Sequence, residues 1–282
     1  MTTLSIIIPA YNEAARLGKS LRTVFNYLNQ YTPDSEVIVV DDGSTDHTAE
    51  VAEENFLHAG RVSARVLRVQ PNRGKGHAVR TGLLAASAPI TLFSDADLST
   101  PISETPKLVG PIEEGRCDVA FGSRALDRTL IGVHQPWRRE QGGRFFNLVV
   151  RLATRLPFWD TQCGFKAFRM SVFRPIAEAT RIDRFGFDVE LLYVAHLAGL
   201  RLQEIPVRWD HNEGSKLNPI RDTFQAFGEI RAIRQLARTG AYDEALKAAR
   251  AALAQERAPL GDADSASSAN GETLDLAGVA RR

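Results

Sequence analysis

Two carboxylates one residue apart, Asp95 and Asp97, close a short apolar run in the stretch Ile90-Thr91-Leu92-Phe93-Ser94-Asp95-Ala96-Asp97-Leu98-Ser99-Thr100-Pro101. Carboxylates this close repel unless a cation lies between them, and a hard divalent ion shared with substrate phosphates is the natural partner. A turn that caps the next helix is the other common use of such residues. A second acidic turn, Asp41-Asp42-Gly43-Ser44-Thr45-Asp46, ends the run Glu36-Val37-Ile38-Val39-Val40. There Asp41 can accept hydrogen bonds from a base N–H, and Gly43 lets backbone approach a ligand closely. An Asx-turn followed by a helix cap uses the same residues. Asn72-Arg73-Gly74-Lys75-Gly76 sets glycines before a helix start, where backbone N–H groups face anions, and adds the charges of Arg73 and Lys75. It is not a P-loop, and it misses the dinucleotide fingerprint because Val79 stands where Gly or Ala is required.

The second half carries a different chemistry. Residues 124–155 hold seven arginines against Asp127 and Glu140, in a chain whose net charge is only +1. Guanidinium forks suit phosphate and diphosphate groups. Phe145, Phe146, Leu148, Val149 and Leu152 lie among them, so the surface suits an anionic, greasy acceptor or an anionic lipid. A solvated helix face is the other reading, favoured for Arg151 and Arg155 but not for Arg124 and Arg144. Asp188 and Glu190 stand at a helix start, where they serve as cap and dipole partner or as a general base. Cys163 has no evident base, and the six histidines form no metal-binding spacing.

These groups need a frame. Continuous apolar runs at 4–8, 36–40, 62–69, 90–94 and 119–122 read as buried strands, with helices between them. Strand–helix alternation implies an α/β fold with a mainly parallel sheet and helices on both faces, whose crevice at the strands' carboxyl ends binds ligands. Residues 123–144 read as loop, 144–156 and 188–197 as helices, 202–209 as a strand, and 222–238 as an amphipathic helix. Residues 1–240 therefore form one domain, 241–257 an Ala-rich helical appendage, and 258–282 a disordered tail. There is no internal repeat. Two cysteines fit a reducing cytoplasm, and the charge balance gives no pull toward nucleic acid. No run approaches the roughly 18 apolar residues of a spanning helix. The expected protein is cytoplasmic, or peripheral at the cytoplasmic membrane face.

Taken together the motifs resemble the inverting family 2 glycosyltransferases of the GT-A fold. The match is carried by Ile8-Pro9-Ala10-Tyr11-Asn12-Glu13, Val40-Asp41-Asp42-Gly43-Ser44-Thr45-Asp46, Asn72-Arg73-Gly74-Lys75-Gly76 and Asp95-Ala96-Asp97, in that order. The second half looks like the dolichyl-phosphate β-glucosyltransferase group within that family. The matching pieces there are Gly122-Ser123-Arg124, Arg144-Phe145-Phe146-Asn147, Asp160-Thr161-Gln162-Cys163-Gly164-Phe165-Lys166, Phe187-Asp188-Val189-Glu190-Leu191 and His211-Asn212-Glu213-Gly214-Ser215-Lys216. The resemblance implies that Pro9, Tyr11 and Glu13 line the nucleotide pocket, that Asp41 contacts the base with Asp42 or Ser44 nearby, and that Lys75 sits by the base or phosphates. It implies that Asp95 and Asp97 hold the ribose and a metal-bound diphosphate, the metal being Mg²⁺ or Mn²⁺. Asp188 is then the first choice for a base or orienting group and Glu190 the second, with Arg124 beside them in the catalytic set. Arg144 and Lys216 hold the acceptor.

The implied donor is UDP-glucose, then GDP-mannose, and the implied acceptor is a polyprenyl phosphate. Members of this group with lipid acceptors commonly carry an N-terminal membrane anchor, which these residues lack. A lipid acceptor would then require peripheral docking through the Arg/Phe helix or residues 222–238; a soluble acceptor is the alternative. Two other classes remain, a nicotinamide-dependent oxidoreductase suggested by Gly74-x-Gly76 and a non-catalytic nucleotide-sugar sensor.

Overall fold

Continuous β-branched runs become strands covered on both faces. The computed structural model describes residues 2–133, 137–211 and 219–257. In chain order the elements are β1 (Leu4–Ala10), α1 (Ala14–Tyr31), β2 (Glu36–Asp42), α2 (Thr48–Asn55), β3 (Ser63–Val69), α3 (Lys75–Ala85), β4 (Ile90–Ser94), α4 (Thr105–Glu113), β5 (Val119–Ser123), β6 (Ile131–Val133), α5 (Trp137–Thr154), β7 (Phe165–Arg169), α6 (Met170–Ala179), α7 (Phe187–Ala198), β8 (Leu202–Pro206), β9 (Trp209–Asp210), α8 (Pro219–Arg238) and α9 (Asp243–Arg257). Among the described residues the main sheet has seven strands in the order β3-β2-β1-β4-β7-β5-β8, and β6 pairs with β9 beside it. Neighbours in the main sheet run parallel except β7, which is antiparallel to both β4 and β5. This is the α/β architecture expected of a GT-A fold, with one reversed strand that the apolar-run pattern did not reveal.

Side chains that alternate along the strands feed two cores. Ile7, Ile38, Phe93, Phe121 and Phe168 face the layer of α3, α6, α7 and α9. Ile6, Ile8, Val37, Val39, Leu92 and Phe165 face the layer that contains Leu17, Leu21, Val24, Phe25 and Leu108 of α1 and α4. A third, small core joins α5, α7 and α8 through Phe146, Val150, Val189, Ile230 and Ile233. Glu36, buried at the start of β2, accepts from Ser5 Oγ at 2.6 Å and from Ser87 N at 2.6 Å, which locks the far end of the sheet.

Several expectations change. Residues 123–144 contain β6 and the start of α5, which begins at Trp137 rather than 144. Helices α4 and α6 form despite Pro111 and Pro175 within them. The segment set apart as an appendage is part of the core: α9 packs against α6 and α7 and buries Tyr242, Ala249 and Leu253 in the larger cluster. The expected tail, 258–282, and Lys216 lie outside the described residues. Among the described residues no helix is long and apolar enough to cross a membrane.

Candidate active site

The crevice opens where β1 and β4 part. Register between them ends at Ile7↔Phe93, whereas β1 stays paired to β2 as far as Ala10↔Asp41. This is the point where strand order reverses, the usual ligand crevice of open α/β sheets. It also explains Pro9, which the sequence placed in the pocket lining. Pro9 is a buried strand residue in register with Val40, tolerated because β1 has no β4 partner there. Tyr11, just beyond the strand, is 43% exposed.

The turns after β1 and β2 are laced together. Asn12 N donates to Ser44 Oγ at 2.9 Å, Thr45 N donates to Asn12 Oδ1 at 2.8 Å, and Ser44 N donates to Asp41 Oδ1 at 3.1 Å. Asp42 turns the other way. Its carboxylate accepts from Gly74 N at 2.6 Å, Arg73 N at 3.1 Å and Asn72 Nδ2 at 2.9 Å, so it holds the glycine turn rather than a base. Burial raises its pKa above the ordinary carboxylate value despite these donors. Gly43 has φ +73°, and a Cβ there would meet Asn72 N at 2.6 Å, so the two turns pack backbone to backbone.

Asp95 and Asp97 lie on the turn that leaves β4. Leu98 N returns to Asp95 O at 3.1 Å, Ser99 N donates to Asp97 Oδ1 at 2.9 Å, and Leu98 adopts φ +49°, a left-handed conformation unusual for a branched side chain. Lys75 Nζ reaches Asp95 Oδ1 at 2.5 Å. Burial works against the ammonium, but Asp95 and Asp188 outweigh it and hold Lys75 charged. Arg16, which the sequence reading passed over, pairs with Glu13 and lies 3.9 Å from Asp97 Oδ2. Its spacing from Glu13, three residues along a helix, was the available signal.

One loop of the second half closes on the Asp95 turn. Asp95 N donates to Gly164 O at 3.1 Å, and Gly164 packs so closely on the Asp95 carboxylate that no Cβ fits there. The loop is fixed by Asp160, which accepts from Arg124 Nε at 2.6 Å, Nη2 at 2.8 Å and N at 3.0 Å. Burial alone would raise Asp160; the Arg124 guanidinium holds it below the usual carboxylate range. The Nε–Nη2 edge of Arg124 is therefore engaged by Asp160. Thr161 N and Oγ1 donate to Asn147 Oδ1 on α5 at 3.3 and 3.1 Å. Burial pushes the Cys163 thiol up to about 11, so it stays a packed thiol.

Asp188 and Glu190 divide. Asp188, nearly buried in the first turn of α7, is 2.5 Å from Lys166 Nζ. Burial raises its pKa above the ordinary carboxylate value, opposed by Lys166 and Lys75. Lys166 is fully buried, also donates to Cys163 O at 2.5 Å, and lies 5.2 Å from the Phe93 ring centroid. A lysine inside the apolar strand Phe165–Arg169 was the unused sequence signal. Glu190 faces the opposite way and is corrected as a candidate base: both its oxygens accept bonds inside the protein, from Arg181 N, Ile182 N and Tyr242 Oη. Arg144 is exposed on α5.

The acidic pair fits a divalent ion on donor chemistry. Asp95 and Asp97 offer hard oxygens, and Asp95 already accommodates a cationic group, the Lys75 ammonium. Among the described residues no three His, Cys, Asp or Glu side chains come together, so the remaining ligands would be diphosphate and water oxygens.

An acidic crevice at the switch point of a largely parallel sheet, beside a glycine turn with a lysine, is the arrangement expected of the GT-A fold. The glycosyl transferase family 2 model matches residues 5–176, and the chain belongs to that family. It is a hexosyltransferase by that membership and its relatives. It is 41% identical over 227 residues to the dolichyl-phosphate beta-glucosyltransferase of Drosophila melanogaster, covering 77% of this chain and 69% of that one. It is 34% identical over 250 residues to the human protein of the same name, covering 85% and 77%. Among solved structures, glucosyl-3-phosphoglycerate synthase from Mycobacterium tuberculosis, in complex with Mn²⁺, UDP-glucose and phosphoglyceric acid, superposes with a TM-score of 0.60 at 22% identity, over 82% of this chain and 79% of that one. At that identity the likeness bears on fold alone.

Proposed function

We propose that this glycosyltransferase moves glucose from UDP-glucose to a polyprenyl phosphate with inversion at the sugar. The observation that carries the reading is the Asp95–Asp97 turn at the parting of β1 and β4, with Lys75 held on Asp95. The names of the relatives support the acceptor class and the sugar. An acceptor phosphate oxygen attacks the anomeric carbon from the face opposite the diphosphate, the bond from that carbon to the diphosphate oxygen breaks, and UDP leaves. The acceptor is already an anion, so no proton has to be removed and Asp188 serves as a fixed charge that orients neighbouring groups. The turns at Asn12, Ser44 and Gly43 receive the nucleoside, and Lys75 offers its charge to the phosphates. A Mg²⁺ or Mn²⁺ ion held by Asp95 and Asp97 would supply neutralisation of the leaving diphosphate.

The same reading gives the chain a membrane-facing side. On α5, Phe145, Leu148 and Leu152 are 59%, 49% and 75% exposed and share one helix face, and Trp159 is 56% exposed with the Arg151 guanidinium 3.9 Å from its ring centroid. Beside them, Arg231, Arg234 and Arg238 of α8 border a groove of about 510 Å³ floored by Val149, Ala153, Phe227 and Ile230. Apolar side chains among arginines suit an anionic lipid surface.

Incubation with UDP-glucose, Mn²⁺ or Mg²⁺ and polyprenyl phosphate should yield glycolipid. Transfer only from GDP-mannose would overturn the donor, and transfer only to a soluble acceptor would overturn the acceptor. Sedimentation with phosphatidylcholine vesicles, with and without phosphatidylglycerol, tests the docking face. Leu148→Glu/Leu152→Glu should lose binding to the anionic vesicles.

A further inference from the structure

The glycine turn that carries Lys75 rests on backbone from a distant part of the sequence, residues 181–183. A Cβ on Gly74 would meet Asp183 O at 2.5 Å, and one on Gly76 would meet Ile182 O at 2.5 Å. His77 N donates to Asp183 O at 3.2 Å. The Asp183 carboxylate takes Arg80 Nη2 at 2.6 Å and Arg73 Nη2 at 3.0 Å, one arginine from the turn and one from the helix behind it. Residues 181–183 are thus the platform under the turn, as Asp42 is its wall.

The platform is fastened from below. Glu190 Oε1 accepts from Arg181 N at 2.9 Å, and Oε2 accepts from Ile182 N at 2.8 Å and Arg181 N at 3.0 Å. Tyr242 Oη donates to Glu190 Oε1 at 2.6 Å from the turn that begins α9. Both side chains are buried, Glu190 completely and Tyr242 to 1% exposure. Glu190 shares α7 with Asp188 but points to the opposite side, so one helix end faces the crevice while the other face fastens the loop.

We infer that Glu190 and Tyr242 are positioning residues for the donor nucleotide: through residues 181–183 they hold the Gly74–Gly76 turn at the height where Lys75 meets the diphosphate. This role deepens, and rests on, the donor reading above. It also brings Tyr242, in the turn before α9 and beyond the residues matched by the family model, into nucleotide binding.

The test uses the full chain and calorimetric titration with UDP in the presence of Mn²⁺, together with KM and kcat for UDP-glucose. Tyr242→Phe removes one donor from Glu190 and should raise the UDP dissociation constant and the donor KM about threefold to tenfold, the worth of one buried hydrogen bond, with kcat unchanged. Asp183→Asn should do the same, and Glu190→Gln, which turns a donor toward the Arg181 and Ile182 N–H groups, should do more. Leu253→Ala is the control, since it loosens α9 in the same core without touching the network; it should lower Tm and leave the dissociation constant alone. Unchanged UDP binding in Tyr242→Phe and Asp183→Asn, or an equal shift in Leu253→Ala, would overturn the inference alone. Failure of the wild-type chain to bind UDP at all would overturn the donor reading and this role with it.

Discussion

Lys75 Nζ lies 2.5 Å from Asp95 Oδ1, so a protonated amine from the glycine turn sits on the first carboxylate of the acidic pair. The contact joins the ends of two non-adjacent chain segments. Lys75→Met should raise the donor KM about tenfold or more, roughly 1.4 kcal/mol of lost binding. Steady-state kinetics at saturating acceptor decide it, and an unchanged donor KM would remove Lys75 from the phosphate site.

Divalent-ion dependence should separate from stability. Chelation by EDTA should abolish transfer while leaving Tm unchanged. Asp97→Ala should lower turnover by at least about 100-fold, as expected when charge neutralisation of several kcal/mol is lost. A large fall in Tm on chelation would show that the ion is structural.

Two glycines give opposite outcomes on methyl addition. Gly164 abuts the Asp95 carboxylate, and Gly82 abuts Ile7 in the sheet core. Gly164→Ala should displace Asp95 and cut turnover at least about tenfold with little change in Tm, since about 1.4 kcal/mol in the barrier is already tenfold. Gly82→Ala should destabilise by about 1–3 kcal/mol through overpacking and leave kcat of the folded fraction intact. Thermal denaturation beside activity assays distinguishes them.

The Lys166–Asp188 pair has a testable sign. Lys166→Met leaves a buried carboxylate without its partner and should cost about 3–5 kcal/mol. Asp188 already sits above its ordinary value of 3.8 because of burial, and loss of Lys166 raises it further. An acid raised on folding binds more protons in the native state, so the stability of Lys166→Met should fall as pH rises from 3.8 through the folded value. It should recover on acidification. Adding Asp188→Asn should restore part of the loss at neutral pH, and urea titrations at several pH values measure both effects.

Asp118 carries the reverse sign. Burial would raise it, but Arg201, with Arg169 adding to it, holds it below its ordinary 3.8. The stability it contributes is complete above that value and is lost as pH falls through the lower folded one. Asp118→Asn should lose about 2 kcal/mol at neutral pH, less than a fully buried pair because Arg201 is half exposed, and should show a shallower acid transition than wild type.

The donor half was legible for a physical reason. Buried parallel strands must be apolar on both faces, so β1, β2 and β4 announced themselves, and the polar turns at their ends had to fall on one edge. The rest depended on contacts across the chain. β7 is five residues long with a lysine inside, and no local pattern says that a distant aspartate on α7 will neutralise it. Helices α4 and α6 were hidden by their prolines. Glu190 was kept as second choice behind Asp188 for the same role, although residues two apart on a helix point about 200° away from each other. Ala245, Ala249 and Leu253 recur every four residues, a packing face that low hydrophobicity disguised as an appendage.

The reversed direction of β7 has one more effect. Because β5 and β7 are antiparallel neighbours, with Phe121 opposite Lys166, the intervening residues 124–164 leave and re-enter the sheet at adjacent points on the same edge. Their last residue, Gly164, closes on Asp95 at the end of β4, while Phe146 and Val150 join α7 and α8. For an engineer, a graft of this excursion between relatives has to keep the Arg124–Asp160 pair and Gly164, because they carry its hold on Asp95.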